Sequence, residues 1–231
     1  MATPLDLQEQ EQVDAIKSFW KQYGNLITWT LVLALGAFAA WNGWNWYQRD
    51  QGVKAGAMFD ELERSVQASD VDRSSTIFAD LQARYPATKW TAQGGLMLAK
   101  LQVEKGRSDA ALVVLKWIGE KSDDEGLRAI AALRLAGVEL DAKRWDEALK
   151  ATDAANVKGF EALAADRRGD ILLAQRKTQA AIEAFLLAWK GLPESVEYRR
   201  VVEAKLNSLG VAPPSVSTAT SAAAGASGVS K

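Results

Sequence analysis

The longest uncharged stretch of the sequence limits what this chain can fold into more than any other feature. No Asp, Glu, Lys or Arg occurs between residues 22 and 48 of the 231-residue chain. The centre of this run, residues 26–41, is almost wholly apolar. About 20 apolar residues in a helix cross the hydrocarbon core of a bilayer. The run therefore predicts a single N-terminal transmembrane helix over residues 25–48.

Two other interpretations fit the flanks of this run less well. A buried core helix would have to hide several Trp side chains, because five of the nine Trp precede residue 50. Such amphipathic rings collect at the membrane–water boundary instead. A cleaved signal peptide could use the small-x-small pattern at residues 37–39, but signal peptides begin with a basic region. The segment before the span is acidic, so we expect an uncleaved anchor; it carries Asp6, Glu9, Glu11 and Asp14 against Lys17 and Lys21.

Charge alone does not orient the span. Lys17 and Lys21 precede it, and Arg49 and Lys54 follow it, so the positive-inside rule gives a tie.

The residues before the span, 1–24, predict a separate amphipathic segment. Val13, Ile16, Trp20 and Tyr23 fall at helical spacing on one face of a helix over residues 10–23. Two roles remain open for this face. It could lie on the membrane surface, or it could contact a partner.

Composition argues against catalysis and against metal or cofactor binding. The chain has no His and no Cys, so the commonest general base, thiol nucleophile and metal ligands are missing. Its net charge of −1 gives no basic footprint for nucleic acid. We therefore expect a non-enzymatic role with no catalytic, cofactor or metal site, and a cofactor-free carboxylate mechanism is the only enzymatic alternative.

Residues 49–209 predict a helical repeat. The strongest unit places Gly169, Ala181, Phe185, Ala188 and Pro193 at the spacing of a tetratricopeptide repeat, in which small residues allow close helix packing. The same ladder occurs in three weaker units: Ala136, Ala148, Thr152 and Ala155; Ala99, Ala111, Leu115 and Ile118; and Leu62, Ser74, Phe78, Leu81 and Pro86. Equivalent positions in successive units recur at roughly the 34-residue period of that repeat.

The predicted fold is therefore all-α: one transmembrane helix followed by a tetratricopeptide-like α-solenoid of about four helix pairs. A generic helical bundle with chance Ala spacing is the alternative. Solenoids present concave surfaces that bind peptides or partner proteins. The Pro/Ser/Ala-rich tail, residues 210–231, is expected to be disordered.

Several patterns resemble reactive sites but have structural explanations. Ser18-x-x-Lys21 matches an acyl-transfer motif without its companion motifs. The acidic residues 123–125 are expected to cap a helix, and Asp166 and Asp170 to form solvated ion pairs with neighbouring Arg residues. One Trp occurs in each repeat unit, and these four are expected to fill the core or a groove: Trp90, Trp117, Trp145 and Trp189. Gly36-x3-Ala40 and Ala39-x3-Gly43 would permit close helix contact in the membrane.

Three segments resemble a known bacterial family. EQVDAIKSFW at residues 11–20, followed by Tyr23-Gly24 and one span, is similar to the start of YfgM proteins. The segments SDDEGLR at residues 122–128 and ADRRGDILL at residues 165–173 are similar to their repeat region. The resemblance covers residues 9–209 and leaves the tail outside.

This resemblance implies an inner-membrane protein with a cytoplasmic N-terminus and periplasmic repeats. It implies an ancillary subunit of the SecYEG translocon that binds a PpiD-like periplasmic chaperone and assists secreted proteins as they leave the channel. Nascent secreted chains are then further candidate ligands. The alternative is a membrane-anchored repeat scaffold for envelope assembly unrelated to secretion.

Overall fold

The computed structural model describes residues 7–213, with side chains from residue 12 onward. The described part contains nine α-helices and no strand. They are α1 (Leu7–Gln67), α2 (Val71–Arg84), α3 (Lys89–Glu104), α4 (Ser108–Lys121), α5 (Glu125–Asp141), α6 (Trp145–Ala155), α7 (Glu161–Ala174), α8 (Thr178–Gly191) and α9 (Tyr198–Ser208). The fold is all-α, as predicted. Most of the predicted disordered tail, from residue 214 on, lies outside the described residues.

The chain divides into two compact units, Met1–Lys54 and Ala55–Lys231. The division falls inside helix α1, whose last turns contribute Ala55 and Leu62 to the core of the second unit. The domain limits expected from the sequence, 1–24, 25–48, 49–209 and 210–231, remain predictions.

Helix α1 carries the apolar run and is 61 residues long. At 1.5 Å per residue that is about 90 Å, roughly three times the thickness of a hydrocarbon core. Only 6% of its most apolar window is buried, so this stretch is not the core helix of a soluble fold. The hydroxyls of Thr28 and Thr30 donate to carbonyls one turn earlier at 2.8 Å, which satisfies them without water. This helix is therefore long enough and apolar enough to cross a membrane.

Four helical hairpins follow the predicted repeat units. The C-terminal part of α1 precedes α2, and the other pairs are α3 with α4, α5 with α6, and α7 with α8. Every ladder residue on these helices is buried, from Leu62 and Ser74 in the first unit to Ala181 and Phe185 in the last. The spacing therefore identified the core-facing positions of all four pairs.

The turn inside each hairpin has the same backbone geometry. One residue adopts a left-handed conformation with φ between 59° and 77°: Ser69, Gly106, Lys143, Arg176 and, after α9, Gly210. At Arg176 the N–H donates to the carbonyl of Leu173, and the next N–H, from Lys177, donates to Leu172, both at 2.9 Å. This pair of hydrogen bonds closes a helix C-terminus and satisfies carbonyls that the helix leaves unpaired.

These turn residues also reveal an additional partial unit. Gly210 follows Arg176 by 34 positions, and the earlier turns are 37, 37 and 33 positions apart, so the turn after α9 continues the approximate period. Helix α9 is therefore the first helix of a fifth unit. Glu203 of α9 stands where Gly169 stands in the unit before it, and it is exposed. A charged residue at the position that packs a second helix gives this end of the repeat a polar face.

Close packing in the strongest unit depends on Gly169. A Cβ at this position would stand 2.5–2.9 Å from three ring atoms of Phe185, which is fully buried. The aromatic ring of α8 thus occupies the space that the missing side chain leaves on α7.

Candidate partner-binding groove

A groove of about 670 Å³ in the repeat unit is lined by α6, α7 and α8. Helix α6 contributes its last turn with Thr152 and Asp153, and Asn156 follows it. Helices α7 and α8 contribute the remaining residues over 161–191. The groove therefore forms where the third and fourth repeat units meet.

Small side chains make this groove. Alanine lines it at five positions: Ala162, Ala164, Ala165, Ala180 and Ala184. At one end a Cβ on Gly191 would be 3.0 Å from Ala162 Cβ, so α7 and α8 approach closely there. Leu172 and Leu187 supply larger apolar surface, and Leu187 is 64% exposed. An apolar side chain from another protein can enter such a surface and lose its contact with water.

Charged groups surround the apolar lining. Arg168 Nη1 on α7 donates to Asp153 Oδ1 on α6 at 2.8 Å, which joins two repeat units at the edge of the groove. Glu183 and Lys190 of α8 are exposed along the same opening. This arrangement, an apolar centre with charges of both signs around it, suits a peptide or protein surface.

Asp166 differs from its sequence-based interpretation. Its side chain is only 4% exposed, so the predicted solvated pair with neighbouring Arg residues is wrong. Lys205 Nζ on α9 donates to both carboxylate oxygens at 2.8 and 2.9 Å, and the Tyr198 hydroxyl donates to Oδ2 at 2.7 Å. Burial, followed by the hydrogen bond to Asp166, raises the pKa of Tyr198 above its usual range. Local sequence patterns could not reveal this cluster, because Tyr198 and Lys205 lie on α9, two helices after Asp166 in the chain.

The acidic run at residues 123–125 caps a helix, as predicted. Asp124 is the N-cap of α5 and accepts the Leu127 N–H at 3.0 Å. Lys89 pairs with the same carboxylate at 2.9 Å, and these two hydrogen bonds lower the pKa of Asp124, with Lys89 the larger cause.

Among residues 12–213, no group of three or more acidic side chains could hold a metal ion.

The acyl-transfer pattern at Ser18 is part of an exposed helix surface. The Ser18 hydroxyl donates to the Ala15 carbonyl at 2.8 Å, so this hydroxyl is bonded to the helix backbone.

The four repeat-unit Trp residues make different packing contacts, and Trp145 packs against the core cluster of Ala148 and Ile171. Trp90 is 40% exposed and contacts Phe59, with ring centroids 5.1 Å apart. Trp117 packs edge-on against Phe78, and Arg199 stacks on Trp189 at 4.0 Å. They form separate packing contacts rather than one ligand cage.

The small residues of the apolar run leave a smooth helix surface. No atom lies within 4 Å of a Cβ built on Gly36 or Gly43. A neighbouring helix could therefore approach the backbone closely at this face.

A family model described as a tetratricopeptide repeat-like domain matches residues 17–211. The relatives of this chain include three that carry the name Ancillary SecYEG translocon subunit. The one from Neisseria gonorrhoeae is 31% identical over 207 residues, covering 88% of this chain and 98% of the relative. The Escherichia coli relative is 31% identical over 177 residues, with coverages of 77% and 85%. The Haemophilus influenzae relative is 30% identical over 203 residues, with coverages of 88% and 98%.

Proposed function

Because this chain belongs to the YfgM family of ancillary SecYEG translocon subunits, we propose that it is a single-pass inner-membrane protein that works beside the Sec channel. The observation that carries the proposal is the extent of the similarity. The matched region includes 98% of the gonococcal relative and 88% of this chain, and the family model covers both the apolar run and the repeats. A shared repeat alone would not explain similarity that includes the membrane helix.

We propose that the N-terminus lies in the cytoplasm and the repeat unit in the periplasm. Two basic residues flank the span on each side, so the positive-inside rule does not decide the orientation. The proposal therefore rests on the family resemblance. Protease added to spheroplasts should degrade the C-terminal unit and leave the N-terminal residues protected. A protected repeat unit, or a mature N-terminus near Ala40, would contradict this topology.

The proposed mechanism is binding, divided between two surfaces. In the bilayer, Gly36, Ala40 and Gly43 would let α1 pack closely against a helix of the channel. In the periplasm, the groove of α6, α7 and α8 would hold an apolar segment of a PpiD-like chaperone or of an emerging secreted chain. Its alanine lining and the exposed Leu187 supply the apolar contact. This division would place a chaperone where unfolded chains leave the channel.

The test is affinity purification of the full-length protein after extraction in mild detergent. We expect the Sec channel and a periplasmic chaperone to co-purify. An unrelated single-pass protein with the same affinity tag controls for general membrane carry-over. Recovery of envelope-assembly proteins without the channel would support the alternative scaffold role and contradict the Sec-associated one.

A further inference from the structure

The N-terminal part of α1 carries an exposed apolar stripe outside the membrane run. The stripe consists of Val13, Ile16, Phe19, Trp20 and Tyr23, which are 39–68% exposed. Phe19 and Tyr23 contact one another, with ring centroids 5.1 Å apart. Ser18 and Lys21 lie on the opposite face of the same helix, and Lys17 lies at the edge of the stripe, one turn after Val13.

Helix continuity determines where this stripe can lie. The residues of the stripe and the apolar run belong to the same helix without a break, so the stripe projects from the bilayer instead of lying flat on it. If the hydrocarbon core begins at Gly24, then Ile16 and Val13 stand about 12 and 16 Å outside it, at 1.5 Å per residue. The headgroup layer is only about 5–8 Å thick on each side. The outer part of the stripe would therefore reach beyond the lipids.

Charge indicates what could cover the stripe. The segment before the span is acidic overall, which disfavours an anionic lipid surface. Its acidic side chains, Asp6, Glu9, Glu11 and Asp14, come first, and the two lysines come nearer the membrane. A second copy inserted in the same direction would bring like charges together. In contrast, cytoplasmic loops of membrane proteins carry an excess of Lys and Arg.

We infer that this stripe is a docking surface for a basic cytoplasmic segment of a partner membrane protein. The inference rests on the proposed function, under which the partner is the Sec channel and the stripe faces the cytoplasm. It gives the N-terminal segment a role in channel binding that is separate from the contacts of the span.

The absence of cysteine makes a direct test possible, since single-cysteine variants of the full chain have no background thiol. Ile16→Cys reports on the apolar stripe. Ser18→Cys is the matched control, because positions i and i+2 on a helix lie on nearly opposite faces. Each variant is placed in nanodiscs, with or without affinity-tagged SecYEG, and labelled with a membrane-impermeant maleimide. Capture through the channel's tag shows whether the chain is bound.

With lipid alone we expect both cysteines to react freely. When SecYEG is bound, labelling of Ile16→Cys should slow by about tenfold and that of Ser18→Cys by less than about twofold, as expected when one face enters a desolvated contact. Unchanged labelling of Ile16→Cys in captured complexes would overturn the inference and leave the proposed function standing. Protection of Ile16→Cys in lipid alone would also overturn the inference. Protection that is independent of the density of the chain in the nanodiscs would indicate contact with the lipid surface. Protection that rises with this density would indicate contact with a second copy. If no chain is captured, the proposed function fails as well.

Discussion

The buried carboxylate of Asp166 on α7 accepts two hydrogen bonds from the ammonium group of Lys205 on α9, at 2.8 and 2.9 Å. Lys205 also pairs with Asp170 at 2.8 Å, so its single positive charge bridges two acidic side chains on successive turns of α7. Together with Val202 and Leu206, which are fully buried, this contact attaches the terminal half unit to the rest of the repeat.

Removing this lysine should destabilise the repeat unit. Lys205→Ala leaves Asp166 buried without its main counter-charge, and we expect a loss of about 2–3 kcal/mol in the free energy of unfolding. The matched control is Lys100→Ala, whose pair with Glu104 is exposed and 3.8 Å long. That change should cost less than about 1 kcal/mol. Chemical denaturation of both variants measures the difference, and equal effects would contradict the importance of the buried pair.

The same cluster predicts a loss of stability at alkaline pH. The pKa of Tyr198 is raised in the folded protein, so folding favours the protonated phenol. The stabilisation is fully present below the unfolded pKa of about 10 and is lost as the pH rises above it. Tyr198→Phe removes the ionisable group and should flatten this decline. Denaturation at neutral and alkaline pH compares the two proteins, and identical slopes would show that Tyr198 does not cause the decline.

Two glycines should respond to alanine with opposite signs. Gly169→Ala drives a methyl group into the ring of Phe185, and we expect a cost of about 1–3 kcal/mol. Gly119 lies in helix α4 with no atom within 4 Å of a built Cβ. Gly119→Ala should therefore stabilise by about 0.5–1 kcal/mol, because glycine weakens a helix interior. Thermal unfolding of residues 49–209 tests both, and a tolerated Gly169→Ala would contradict the packing described.

The groove predicts a binding defect without a folding defect. Leu187→Asp places a charge on an exposed apolar residue of the lining, so chaperone binding should fall by about tenfold or more. Val113→Asp is the control, since Val113 is 69% exposed but does not line the groove. Both variants should unfold at nearly the wild-type temperature. Equal binding by Leu187→Asp and wild type, measured by calorimetry, would show that the partner binds elsewhere.

Local sequence signals predicted most of the fold. The span followed from missing charge, and the hairpins followed from small and aromatic residues at fixed offsets such as Ala181 and Phe185. Both signals act within one or two helices, so they can be recognised from spacing alone. The fifth turn at Gly210 continues this spacing, but Glu203 replaces the small residue that stands at the equivalent position of the three preceding units.

The site was less predictable because it depends on distant packing. Arg168 meets Asp153 only when α7 packs against α6, and Asp166 becomes buried only when α9 covers it. Nothing in the immediate neighbours of these residues distinguishes an exposed carboxylate from a buried one. The groove likewise consists of common alanines, whose role appears only when three helices lie together.

Under the proposed function, this chain works beside the Sec channel through its membrane helix. Affinity purification can compare wild-type protein with a variant in which residues 25–48 are replaced by an unrelated apolar span of equal length. After mild detergent extraction, the wild type should recover both the channel and a periplasmic chaperone. The variant should recover about tenfold less channel and an unchanged amount of chaperone, because only the bilayer contact has been altered. Full channel recovery by the variant would show that the span is only a tether, and no channel recovery by the wild type would contradict a role beside the Sec channel.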